Sequence, residues 1–191
     1  MLAERIRQHL SADAEIVVAV AELQSYRQNC EGNPDNVQLV VKVKTESDIL
    51  ALLALARELA QSEQAFQVFP ISTGRNWGYN SATPNRPAVI LDLGALNKIR
   101  VIDANLGLFA VQPGVTQQQL RDFLDQQQLA FMVPVTGAGP SCSILANALE
   151  RGYGITPYTD HFGAVTAMRA ILADGSIVQS AVAELDQSAE Q

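Results

Sequence analysis

The residues from Val68 to Ala82 read V-F-P-I-S-T-G-R-N-W-G-Y-N-S-A, a stretch dense in residues that let a main chain fold sharply. Ser72, Thr73, Gly74, Gly78, Asn80 and Ser81 can turn successive N–H groups inward, which makes a nest for an anion. A phosphate or pyrophosphate is the natural guest of such a nest, and Arg75 adds a cation beside it. The same composition suits an ordinary surface loop, and this stretch alone leaves both readings open. Two further glycine clusters follow, Val133-Pro134-Val135-Thr136-Gly137-Ala138-Gly139-Pro140-Ser141 and Arg151-Gly152-Tyr153-Gly154-Ile155-Thr156-Pro157-Tyr158-Thr159-Asp160-His161. Three such loops in 191 residues suit an extended ligand better than a single phosphate.

Neither standard nucleotide fingerprint fits. There is no G-x-x-x-x-G-K-[ST]. Gly137-Ala138-Gly139-Pro140-Ser141-Cys142 begins like G-x-G-x-x-G but lacks the third glycine, and Pro140 stands where a dinucleotide-binding helix would begin. His9, His161, Cys30 and Cys142 have no ligand-like spacing, so no metal site is expected, and Cys142 reads as a small buried thiol. Asp160 and His161 can be read as an acid–base pair or as part of a packed loop. A net charge of −7 argues against nucleic acid or an anionic membrane as partner. No apolar run reaches membrane-spanning length, and Met1-Leu2-Ala3-Glu4-Arg5 lacks the apolar region of a signal peptide, so the cytoplasm is the expected compartment.

The elements that must position these loops follow from periodicity. Leu2, Ile6 and Leu10 predict a helical lead-in, while Ile16 to Ala21 suits a short helix or a strand. Tyr26 to Pro34 has loop chemistry. The run Val37, Leu39, Val40, Val41, Val43 predicts a buried strand, and Thr45-Glu46-Ser47-Asp48 a capping box before a helix over about Glu46 to Ser62. Ile49, Leu52, Leu53, Ala56 and Leu59 form its main stripe, with Leu50 and Leu55 off it. A strand through Phe66, Val68 and Phe69 is expected to stop at Pro70, completing a βαβ unit whose glycine loop lies at a strand's carboxyl end. Ala88 to Asp92 predicts a strand broken by Gly94, and Ile99 to Asp103 with Leu108 to Gln112 a hairpin. Thr116-Gln117-Gln118-Gln119 caps a helix carrying Leu120, Phe123 and Leu124, and a short helix spans about Ser143 to Leu149. A final hairpin pairs Ala164 to Leu172 with Ser176 to Ser180.

Together the loops resemble those of the flavoprotein family of vanillyl-alcohol oxidase and p-cresol methylhydroxylase (PCMH-type). Pro70-Ile71-Ser72-Thr73-Gly74-Arg75-Asn76-Trp77-Gly78-Tyr79 resembles that family's pyrophosphate loop, and Val111-Gln112-Pro113-Gly114-Val115-Thr116 its E-P-G-V-T stretch. The residues from Asn147 to Phe162 are similar to its N-x-x-E-R-G-x-G-Y-T-P-Y-G-D-H-[FW]. The resemblance runs from about Pro34 to Ser180 and implies an α+β, PCMH-type FAD-binding fold of two α/β subdomains clasping the cofactor. The expected domains are a lead-in over 1–33, a first subdomain over 34–98, an incomplete second over 99–183, and a frayed tail over 184–191.

By the same resemblance, Pro70, Ile71, Ser72, Thr73, Gly74, Arg75, Asn76, Trp77 and Ser81 serve the pyrophosphate. Pro113, Gly114, Gly137, Gly139, Pro140, Ser141, Ile144, Asn147, Gly152, Gly154, Tyr158, Asp160 and His161 serve the rest of the FAD, and Tyr79 matches a tyrosine that hydrogen-bonds a substrate's phenolic oxygen. Relatives with a histidyl-linked flavin carry His where this chain has Asn76, and those with a cysteinyl link carry Cys where it has Val133, so non-covalent FAD is expected. The acid that relatives place near the flavin's reactive nitrogen falls at Val135 or Thr136, neither of which is a carboxylic acid. The implied function is the FAD-binding portion of an oxidoreductase that takes a hydride from a small phenolic or other alcohol substrate. The family's cap domain and its later G-I-V-T-type segment lack counterparts here, so a second chain or a C-terminal cap domain is an expected partner. Two alternatives stay open: an FAD-dependent hydroxy-acid or alcohol dehydrogenase of the same superfamily, and a non-catalytic flavin-binding fragment or subunit.

Overall fold

The β-branched run after Asn36 forms strand β2 (Val37–Lys42), and Val37, Leu39, Val40 and Val41 are all buried in it. In the computed structural model, which describes residues 1–27, 34–75, 83–154 and 160–180, β2 lies in a four-stranded sheet. Its companions are β1 (Glu15–Val17), β3 (Gln67–Ile71) and β4 (Ala88–Asp92), in the order β1-β2-β4-β3. The last three are parallel and β1 is antiparallel. Strands covered on both faces need apolar residues at every position, and Ala88 to Leu91 are accordingly all buried. The segment before Asn33, expected as a helical lead-in, therefore supplies an edge strand as well as helices α1 (Leu2–Arg7) and α2 (Val20–Arg27). Tyr26 and Arg27, expected in a loop, end α2.

Leu23 and Tyr26 of α2 pack on one sheet face with Val17, Val37, Val40, Phe69, Ile71 and Ile90. Helix α3 (Glu46–Leu59) connects β2 to β3 and buries Ile49, Leu52, Leu55 and Leu59. Leu55 lies within the buried face rather than off it, because Asp48, Leu52, Leu55 and Leu59 recur with helical spacing. The helix also stops earlier than expected, where the Ser62 hydroxyl donates to the Leu59 carbonyl at 2.9 Å. Strand β3 continues through Pro70 to Ile71, pairing Pro70 with Leu91. A proline is tolerated there because β3 is an edge strand.

Thr45 caps α3 by accepting the Asp48 N–H at 3.2 Å. The Asp48 carboxylate, only 2% exposed, accepts the Ser11 N–H at 2.8 Å, the Ser11 hydroxyl at 3.1 Å and the Thr45 hydroxyl at 2.7 Å. Burial by itself would raise its pKa. The Ser11 N–H and the Thr45 and Ser11 hydroxyls outweigh that and hold the carboxyl below its usual range.

The chain divides into two compact units, Met1–Leu96 and Asn97–Gln191. The second opens with a hairpin of β5 (Ile99–Asp103) and β6 (Leu108–Val111), whose turn is held by Asp103 accepting the Asn105 and Leu106 N–H groups. Helix α4 (Gln117–Gln126) starts with a complete capping box between Thr116 and Gln119. It buries Leu120 and Leu124 with Val115 and Val133, against Ile99, Phe109, Val111, Phe131 and Ile144. Helix α5 (Ile144–Leu149) is capped by Ser143, and β7 (Arg169–Ile171) pairs with β8 (Ile177–Gln179). The last hairpin is shorter than expected: Ala164 ends a 3-10 turn, and residues 165–168 are irregular before β7 begins at Arg169.

Replacing Asp48 with Ala should lower the unfolding free energy at pH 7 by about 1–3 kcal/mol, measured by urea denaturation. The folded pKa is depressed, so this stability is present above the unfolded value of about 3.9 and is lost as pH falls through the folded one. The difference between wild type and Asp48→Ala should therefore shrink on acidification below about pH 4.

Candidate functional site

The first glycine stretch leaves the carboxyl end of β3. Pro70 and Ile71 belong to the strand, with Ile71 buried; Ser72 and Thr73 are half-buried, and Gly74 and Arg75 exposed. Gly74 has φ +62°, a left-handed conformation that L side chains resist, while its Cβ position is roomy, with nothing nearer than the Ile71 Cδ1 at 3.5 Å. Asn76, Trp77, Tyr79 and Ser81 lie outside the described residues, as does Tyr158.

Asp92, at the end of the neighbouring strand β4, was not singled out from the sequence, although a D-x-G at the end of a buried strand is a turn signal. Its Oδ1 accepts the Gly94 N–H at 2.8 Å and its Oδ2 the Tyr26 hydroxyl at 2.8 Å. Burial first, and then the Asp92 hydrogen bond and charge, push the Tyr26 phenol far above its ordinary pKa, so it stays a donor.

In the second unit, Pro113, Gly114 and the glycine cluster 137–141 are stitched together around the start of α4. The Ser143 hydroxyl donates to the Pro113 carbonyl at 2.6 Å and the Ile144 N–H to the Val115 carbonyl at 2.9 Å. The first-turn N–H groups of α4 have no intrahelical acceptor. Gln117 gives its N–H to the Cys142 carbonyl at 2.9 Å, and Gln118 to the Pro140 carbonyl at 3.0 Å. The buried Gln117 side chain holds Thr136 through both its amide nitrogen and its oxygen. Gly139 has φ +101°, and a Cβ built there would meet nothing within 4 Å. Ser141 is exposed, Ile144 half-buried, and Cys142 buried.

The third cluster is built around His161. This residue is 4% exposed, and its Nδ1 bonds the Asn147 Oδ1. Its Nε2 is buried and takes no hydrogen bond among the described residues. The Gly152 N–H donates to the Asn147 carbonyl at 2.7 Å, and the His161 N–H to the Gly152 carbonyl at 3.1 Å. A Cβ on Gly152 would lie 2.2 Å from the Asn147 amide, and one on Gly154 would lie 2.6 Å from His161 Nε2 and 2.8 Å from the Val135 carbonyl. Both glycines are therefore required by close approach. Asp160 and His161 have separate partners: Asp160 pairs with Arg151 at 3.2 Å and caps the 3-10 turn through the Phe162 N–H. Among the described residues, no group of three His, Cys, Asp or Glu side chains could hold a metal ion.

Residues 37–181 match the FAD-binding domain family. The chain belongs to that family. This FAD-binding domain is 38% identical over 120 residues, 62% of its length, to the flavoprotein subunit of 4-cresol dehydrogenase (hydroxylating) from Pseudomonas putida. It is 28% identical over 168 residues, 87% of its length, to 1'-carboxy-chondrochloren decarboxylase from Chondromyces crocatus. These alignments span 23% and 29% of the two relatives, so the chain corresponds to a minor part of each. The crystal structure of p-cresol methylhydroxylase with substrate bound is similar over 98% of the chain and 36% of its own, with a TM-score of 0.86 and 28% identity. The fold is thus the α+β, PCMH-type FAD-binding fold, and FAD is its cofactor. No described helix is long and apolar enough to cross a membrane.

The residues present fit such a group. The loop at Gly74 has the left-handed backbone and open space an anion nest needs. The Nε2 of His161 is a buried polar atom with no hydrogen-bond partner among the described residues.

Gly152→Ala should cost about 1–3 kcal/mol of stability, because the overlap falls on a half-buried amide already hydrogen-bonded to His161. The chemical shift of the His161 Nδ1 proton, read by nuclear magnetic resonance at one pH, should report the disturbed Asn147 hydrogen bond in that variant.

Proposed function

We infer that this chain is the FAD-binding portion of a flavin-dependent oxidoreductase acting on a phenolic or other alcohol substrate. The observation that carries this reading is the 38% identity, over 120 residues, with a flavoprotein subunit that by its name dehydrogenates and hydroxylates 4-cresol. Its geometric support is the set of glycine-bearing loops, whose bare main chain suits close approach to a flat ring and its phosphates. When bound, FAD supplies a two-electron acceptor for hydride.

The residues of the chain bind and orient. Ser72, Thr73 and Gly74 offer backbone donors to the pyrophosphate, and Arg75 adds positive charge, with Pro70 and Ile71 anchoring the loop in β3. Asn76, Trp77 and Ser81, outside the described residues, belong to the same cradle by this reading. Pro113, Gly114, Gly137, Gly139, Pro140, Ser141 and Ile144 line the ring end, where small side chains keep main-chain donors accessible. Asn147 fixes His161 with Nδ1 toward its amide oxygen, which leaves Nε2 as an acceptor for a cofactor N–H or O–H. Gly152 and Gly154 hold that ring in place, Asp160 caps the turn that His161 begins, and Tyr158 belongs with them. Tyr79 is the candidate for holding a substrate's phenolic oxygen. Val135 and Thr136 carry no carboxylate, so a proton leaving substrate is taken by another group. The rest of a substrate pocket comes, on this reading, from a C-terminal cap domain or a second chain.

The visible spectrum of the purified chain, after incubation with FAD and desalting, tests the reading. A retained flavin band that acid releases is the expected result. Gly74→Val, which puts a β-branched side chain at φ +62°, should abolish it. A chain that retains no flavin at excess FAD overturns the reading for these residues, and a band that resists acid overturns non-covalent attachment.

A further inference from the structure

The phosphate loop is held from behind by residues that no part of the glycine pattern contains. Asp92 is the last residue of β4 and stands in register with Ile71, immediately before the loop. The Leu93 N–H donates to the Ile71 carbonyl at 2.9 Å, and the chain then bends within two residues as Asp92 Oδ1 takes the Gly94 N–H. That bend brings Gly94 against the loop: a Cβ there would lie 3.3 Å from the Ser72 carbonyl oxygen and 3.0 Å from Asp92 Oδ1. From the other side, the Tyr26 hydroxyl of α2 fixes the second carboxylate oxygen at 2.8 Å.

We propose that Asp92 is a positioning residue for the phosphate loop: oriented by Tyr26, it presses the Gly94 turn onto Ser72 and so sets how Ser72–Arg75 present their donors to the FAD pyrophosphate. This rests on the reading of that loop as the pyrophosphate cradle. A carboxylate at the carboxyl end of the sheet works against an anion by charge, so its contribution is geometric. Charge and geometry are separable here, because asparagine keeps an acceptor for the Gly94 N–H and drops the charge.

The test measures the dissociation constants of FAD and of ADP for the 191-residue chain by calorimetry, with thermal unfolding of the ligand-free proteins alongside. ADP carries the pyrophosphate without the flavin ring, so a defect in the loop weakens both ligands. Asp92→Ala should weaken both by about tenfold or more, the loss of one or two hydrogen bonds to a charged group. Asp92→Asn should bind both within about threefold of wild type, or more tightly, even where its melting temperature falls. Tyr26→Phe, which removes one hydroxyl at nearly constant volume and so decides the matter if Asp92→Ala does not fold, should weaken both about threefold. Wild-type affinity in Tyr26→Phe and in a folded Asp92→Ala overturns the proposal, as does Asp92→Asn being as weak as Asp92→Ala. A wild-type chain that binds neither FAD nor ADP overturns the pyrophosphate reading itself, and this proposal with it.

Discussion

Strands β2 and β3 share no hydrogen bonds with each other, and both depend on the backbone groups of Ala88 to Asp92 between them. The first unit is therefore a sheet only once β4 has come back from beyond the glycine loop and entered the gap. Unpaired buried backbone groups are too costly to leave open, so the closure has little freedom in register. Val40 and Phe69 both face Ile90, and Lys42 and Ile71 both face Asp92. That register places the end of β4 beside the start of the loop, where ligands of parallel α/β sheets are met.

The second unit solves a different problem. Its loops are rich in main chain with few side chains to cover it, and their carbonyls find donors at the start of α4 and α5. A helix has unsatisfied first-turn N–H groups, and Pro140 and Cys142 offer the acceptors that two of them lack. The result is a set of glycine turns held by helix termini rather than by a sheet. Gly152 and Gly154 then pack directly on Asn147 and His161, so the buried imidazole is shaped by the absence of side chains around it.

Much of the fold was legible because it rests on local chemistry. The β-branched run of β2, the strand Ala88 to Asp92, the hairpin that opens with Ile99 to Asp103 and the Thr116–Gln119 capping box all follow from neighbouring residues. The misreadings have a common cause in context. Pro70 breaks a central strand but not an edge strand, and edge position is a property of the whole sheet. Leu55 looked peripheral until Asp48 was counted as part of the buried face, and a buried aspartate is readable only once Ser11 is known to meet it.

For the candidate site the division is similar. By itself the sequence determined the glycine-bearing stretches, their resemblance to a flavin-binding family and the polar residues within them, because backbone freedom and cap chemistry are written in residue type. Only the tertiary structure decided that Asp160 and His161 act through different partners, that His161 has one nitrogen tied to Asn147 and the other without a hydrogen bond among the described residues, and that Tyr26 and Asp92, sixty-six positions apart, meet beside the start of the first glycine stretch. Those are contacts between residues distant along the chain. They exist because burial of the strands brings them together, and no local pattern encodes which donor a buried acceptor will find.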